Sequence, residues 1–135
     1  GGGSNMISVL SPKIRFCFNL SSAITGMLGK ELRFPRLLIN SYLSNGVEPN
    51  ETIQSVGFYG SLATRTLKTR VQREDLETSS PVTYVVLTED RMLPPPVQRR
   101  MAERIPDVDL VELEACHQAP LYRAREVTDL LLRYA

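Results

Sequence analysis

Apolar positions cluster most tightly in the last third of the chain. Residues 82–87, Val82-Thr83-Tyr84-Val85-Val86-Leu87, are a nearly continuous run of β-branched, aromatic and aliphatic side chains. Such a run predicts a short strand covered on both faces by helices. Thr88-Glu89-Asp90-Arg91 then makes a polar turn, and Met92-Leu93-Pro94-Pro95-Pro96 stops any ladder, because three successive prolines donate no N–H and fix φ. From Val97 the period becomes helical. Val97, Met101 and Ile105 share one face, with Gln98, Arg99, Arg100, Glu103 and Arg104 elsewhere, and Pro106-Asp107 closes the element. Across residues 108–113, Val108, Leu110, Val111 and Leu113 are interspersed with Asp109 and Glu112, which suits a sheet edge. After a loop at 114–120, a last helix is expected from about Tyr122. Its Val127, Leu130, Leu131 and Tyr134 form a stripe expected to face the sheet. Strand, helix, strand, helix predicts a parallel α/β unit with a right-handed crossover.

The upstream pattern is weaker. Residues 31 to about 67 read as mainly helical, with Leu32, Leu37, Leu38, Tyr42 and Leu43 around an interruption at Pro35, and a stop at Ser44-Asn45-Gly46. Pro49-Asn50-Glu51 opens a second helix, with Ile53 and Val56 inward. Residues 16–28 are moderately apolar after Lys13 and Arg15, superficially like a signal peptide. Asn19, Ser21, Ser22 and Thr25 break the run, which is also shorter than the roughly 20 apolar residues that span a bilayer. Residues 6–30 receive no assignment, and residues 1–5, Gly1-Gly2-Gly3-Ser4-Asn5, have the composition of a flexible linker or cloning scar.

A length of 135 residues and a net charge of +1 bound the chain to one compact domain and give no electrostatic reason to expect nucleic acid or a membrane surface as partner. The basic stretch Arg65, Lys68, Arg70, Arg73 is followed at once by Glu74, Asp75 and Glu77, as on a solvated helix face. Cys17 and Cys116 have no metal or redox spacing, and the single histidine makes a zinc site an unfavourable reading, so neither metal nor cofactor is expected. A reduced, cytoplasmic protein is the simplest expectation.

Two residues stand where open parallel sheets place their chemistry, just past strand ends: Asp90 and His117. Each has a plain structural reading, Asp90 as a helix cap and His117 as a loop residue. Cys116 beside His117 does not suggest a Cys/His pair, since neighbours on an extended segment point to opposite faces.

The segments Tyr84-Val85-Val86-Leu87-Thr88-Glu89-Asp90-Arg91, Leu93-Pro94-Pro95, Gln98-Arg99-Arg100-Met101-Ala102 and Val111-Glu112-Leu113-Glu114-Ala115-Cys116-His117-Gln118-Ala119-Pro120-Leu121 resemble the C-terminal end of α/β-hydrolase-fold proteins. Nearest are small esterases of the plant methyl-ester-hydrolase and hydroxynitrile-lyase type and their bacterial counterparts. The resemblance covers residues 81–135 closely. It implies a partial α/β-hydrolase fold in which Asp90 is the acid after the penultimate strand and His117 the base after the last, in the family's order. More loosely, through Tyr42-Leu43-Ser44-Asn45-Gly46 and the helix after it, it implies that residues 31–80 are a helical cap. In that chemistry the histidine takes a proton from a serine attacking an ester carbonyl, and the carboxylate holds the imidazole tautomer.

Neither residue can attack, and no Gly-x-Ser-x-Gly elbow occurs in the chain. Ser61, within Gly57-Phe58-Tyr59-Gly60-Ser61-Leu62-Ala63, precedes both, yet Tyr59 and Ala63 occupy the flanks where an elbow needs small residues. The interval to Asp90 is also too short for the family's intervening strands and cap. Two strands alone would leave an apolar edge, which predicts a complementing segment, a rearranged small fold or a homo-oligomer. Three readings follow: the acid-and-histidine portion of a serine esterase-like hydrolase, inactive alone; a non-catalytic remnant binding a small apolar ligand or a protein; and a self-contained hydrolase using Ser61.

Overall fold

The computed structural model describes residues 5–27, 36–48, 69 and 80–133. Its elements in chain order are α1 (Met6–Val9), α2 (Pro12–Met27), α3 (Arg36–Leu38) running into a wide π-helical turn (Ile39–Leu43), β1 (Thr83–Leu87), α4 (Pro95–Ala102), β2 (Asp109–Leu113), α5 (Ala119–Tyr122) and α6 (Ala124–Leu132). This is an α/β arrangement around a two-stranded parallel sheet, in which Thr83 pairs with Asp109 and Leu87 with Leu113.

The strands begin one residue later than the pattern predicts, and Val82 ends as the carbonyl that accepts the Asp109 N–H at 2.9 Å. At the other end Thr88 N–H donates to the Leu113 carbonyl at 3.0 Å. Peptide groups alternate sides along a strand, so 82, 84, 86 and 88 face β2 while Thr83, Val85 and Leu87 face the opposite edge. Among the described residues no strand pairs with that edge. Only Val86 of β1 is fully buried, so the strand is less covered than its apolar run suggests. β2 has the exposed character of an edge, with Leu110 at 40 % exposure.

α4 begins at Pro95 rather than Val97. A proline costs nothing in the first helical turn, where an N–H has no partner anyway. Its buried face is Gln98 and Ala102, one position away from the expected Val97, Met101 and Ile105, which are half-buried. Arg99 pairs with Glu112 across to β2, and this hydrogen bond holds the Glu112 carboxyl below the usual carboxylate range. The pair is exposed and adds little stability. Asp107 closes the connection at φ 49°, a left-handed conformation that Asp tolerates in tight turns.

The last helix departs furthest from expectation. Arg123 breaks it into α5 and α6, and no residue of α6 is buried. Val127 and Leu130 are half-buried, while Leu131 is 69 % exposed and Tyr134 lies outside the described residues. Among the described residues the two strands leave that stripe largely uncovered.

Residues 6–27, without assignment from sequence, prove central. Asn5, the last of the linker-like residues, caps α1 through Oδ1, accepting the Ser8 N–H at 2.9 Å; residues 1–4 lie outside the described residues. α2 turns Ile14, Phe18 and Ser22 inward at helical spacing and leaves Phe16, Leu20, Ile24 and Met27 exposed. Leu10 and Ile14 form one core cluster with Leu43 of the π-helical turn and Met92 of the β1–α4 connection, with Tyr42 packed against it. Ser11 N–H donates to the Met92 carbonyl at 3.2 Å. Among the described residues no helix is long and apolar enough to cross a membrane.

Because Ile14 is 2 % exposed within this cluster, Ile14→Ala should lower unfolding stability by about 3 kcal/mol in urea titrations. A loss below about 1 kcal/mol would show that the N-terminal helices do not fold cooperatively with the sheet.

Candidate active site

Asp90 and His117, the residues predicted past the strand ends, come together. Leu87 is the last residue of β1, and the chain turns back so that Asp90 N–H donates to the Leu87 carbonyl at 3.3 Å. Glu89 N–H donates to the Ala115 carbonyl at 3.2 Å, tying this turn to the segment leaving β2. Two residues beyond Ala115, His117 brings Nδ1 to 2.7 Å from Asp90 Oδ2. The Asp90 side chain is 2 % exposed and that of His117 30 %.

The two oxygens of Asp90 have separate tasks. Oδ1 accepts the backbone N–H groups of Met92 and Leu93, at 2.8 and 2.9 Å. This is the capping habit of Asp, applied to its own turn and not to α4, whose N-cap Pro94 makes no side-chain bond. Oδ2 is left for the imidazole. A carboxylate at Nδ1 favours the tautomer with the proton on that nitrogen, which leaves a lone pair on Nε2. Nε2 has no hydrogen-bond partner among the described residues.

The π-helical turn roofs the pair. Leu43 carbonyl accepts the Gln118 N–H at 3.2 Å, and Asn45 Nδ2 donates to the Glu89 carbonyl at 2.8 Å, so one short segment grips both loops. Beside it a cleft of about 710 Å³ is lined by Ser11, Lys13, Ser41, Tyr42, Asp90 and Arg91. Burial, reinforced by the Asp90 charge, raises the Tyr84 hydroxyl pKa. Burial likewise raises the Cys116 thiol pKa, with the Asp90 and Glu89 charges adding to the shift.

No family model, no curated protein and no solved structure matches the chain.

What the arrangement can do follows from its parts. An imidazole backed by a buried carboxylate can accept a proton through Nε2 and return it. Among the described residues no serine hydroxyl is hydrogen-bonded to His117: Ser11 Oγ is buried without a partner, and Ser44 Oγ accepts from Tyr122. Ser61 lies outside the described residues, as does most of the 31–80 segment; 36–48 is the part seen to cover the loops. The described residues contain no group of three His, Cys, Asp or Glu side chains placed to hold a metal ion.

Sequence reasoning missed two residues that shape the site, Gln98 and Asn45. Gln98 donates from Nε2 to the Leu87 and Leu93 carbonyls at 3.0 and 2.7 Å, and its Oε1 accepts the Leu87 N–H at 2.9 Å. The available signal was a polar residue four positions before Ala102 in a short helix. Asn45 stood only as part of a turn.

A buried thiol with a raised pKa holds less thiolate at neutral pH than free cysteine, and so reacts slowly. In the native chain Cys116 should be alkylated by iodoacetamide on the order of tenfold more slowly than the half-buried Cys17, with the difference lost in urea. Peptide mapping of the modified chain reads this directly, and equal native rates would contradict the burial of Cys116.

Proposed function

We propose that the chain is the acid-and-histidine portion of an α/β-hydrolase-like serine esterase, with His117 as general base and Asp90 as the group that orients it. The observation that carries this reading is the 2.7 Å contact between His117 Nδ1 and the buried Asp90 Oδ2, made past the ends of two adjacent parallel strands. The pair stands in the order acid, then histidine. In this reading His117 Nε2 takes the proton of a serine as it attacks an ester carbonyl, then delivers it to the leaving alkoxide. Asp90 stabilises the imidazolium formed between these steps. The edge of β1 that no strand pairs with among the described residues supports a complementing segment that brings further strands, the serine and the oxyanion donors.

A second reading is a non-catalytic hydrolase-like protein that holds an apolar ligand or a protein partner. Leu121, Leu131 and Leu132, between 55 % and 69 % exposed near the His117 loop and on α6, favour it.

Hydrolysis of an activated aryl ester distinguishes these readings. The purified chain should match a folded control protein; adding a segment that carries a serine elbow and the neighbouring strands should produce turnover, and His117→Ala should remove at least about a thousandfold of it. Turnover by the chain alone, lost in both His117→Ala and Ser61→Ala, would establish the self-contained site at Ser61 instead. Absence of turnover after complementation, with binding of an apolar ester retained, would favour the non-catalytic protein.

A further inference from the structure

Gln98 is 2 % exposed, and both ends of its amide are engaged in the turn that presents Asp90. That turn begins at Leu87 and ends at Leu93, and Gln98 holds both: the N–H and carbonyl of the first, the carbonyl of the second. Both amide protons are spent on those carbonyls. A third approach, Nε2 to Asp90 Oδ2 at 3.5 Å, places the positive end of the amide dipole beside the oxygen that faces His117.

Among the described residues Gln98 is the side chain that bonds both ends of the turn. Asp90 Oδ1 is fixed to Met92 and Leu93 N–H, so where Oδ2 points depends on where those two residues sit relative to β1. Within the turn the backbone contributes one closing bond, Asp90 N–H to the Leu87 carbonyl at 3.3 Å, on an oxygen that also accepts from Gln98; Glu89 N–H to the Ala115 carbonyl, Asn45 Nδ2 to the Glu89 carbonyl and Ser11 N–H to the Met92 carbonyl tie the turn to other segments, and none of these spans its two ends. Packing alone does not call for an amide here, since the neighbouring inward residue of α4 is Ala102, with no polar side-chain atom and no exposure. Burying a glutamine is costly unless its groups are matched, and here they are matched to the ends of one turn.

We propose that Gln98 is the positioning residue of the Asp90–His117 pair. By gripping Leu87 and Leu93 together it holds the 88–93 turn in the conformation that aims Oδ2 at Nδ1. The inference rests on reading this pair as the acid and base of a hydrolase, and it acts through Asp90 rather than on substrate.

His117 is the only histidine, so its ring nitrogens give a single, unambiguous nitrogen-15 signature at neutral pH. In the full chain the Nδ1–H tautomer should dominate, and Asp90→Ala should return the ring to the tautomer balance of a free histidine side chain. Gln98→Met removes the amide while keeping length; Gln98→Glu keeps shape and the acceptor for Leu87 N–H but removes the donors, and serves if the first variant fails to fold. Both should reduce the Nδ1–H population several-fold, toward the Asp90→Ala spectrum. If they lower the melting temperature yet leave the ring signature unchanged, Gln98 is a clamp between helix and strand only, and the inference falls while the pair stands. If the unsubstituted chain already gives the Asp90→Ala spectrum, the pair itself is refuted, and the inference with it.

Discussion

Taking an ionised carboxylate out of water costs several kcal/mol, and the cost is offset only where every lone pair finds a donor. Asp90 meets that condition with two backbone N–H groups of its own turn and an imidazole, with the Gln98 amide close by. Much of the local architecture can be traced to this demand. The turn must fold back on β1 to supply Met92 and Leu93 N–H. The segment after β2 must approach closely enough for His117 to reach Oδ2, and the Glu89–Ala115 and Thr88–Leu113 bonds bring it there.

Support for this polar knot is apolar and comes from far away in sequence. Met92, two residues past Asp90, is buried among Leu10, Ile14 and Leu43, so the acid turn rests on the N-terminal helices and the π-helical turn. The connection is double, since Leu43 and Asn45 also bond to the His117 and Asp90 loops. Strain introduced at α2 or at the π-helical turn is therefore felt at the pair, because packed interiors transmit displacement rather than absorb it.

The strands and their parallel order were legible in the sequence, because continuous β-branched runs depend on local chemistry that a single chain displays. Strand-end positions singled out Asp90 and His117, but the expectation that they pair came from the resemblance to a known family and not from the local pattern. The inward face of α4 was not legible, because periodicity weighs side chains by hydropathy and Gln98 is buried for its hydrogen bonds. The exposed stripe of α6 was misjudged for a different reason: amphipathic spacing shows that a helix has an apolar face, while what covers that face is decided by elements elsewhere in the fold. Residues 6–27 gave no usable signal because α2 carries apolar side chains on both faces, so its pattern does not distinguish the buried side.

The Gln98 amide also limits how the sheet can grow. Along the edge of β1 that no strand pairs with among the described residues, the outward-facing peptides are those of Thr83, Val85 and Leu87, and the last is already occupied by a side chain that mimics a neighbouring strand. Pro81, just before, has no N–H to offer. An added strand is thus confined to the rungs of two residues, and its register is set by a stop at each end. Four hydrogen bonds at about 1 kcal/mol net each fall well short of the roughly 8 kcal/mol that micromolar association requires. A strand added there would hold on mainly through the side chains it buries, with the ladder serving to choose its alignment.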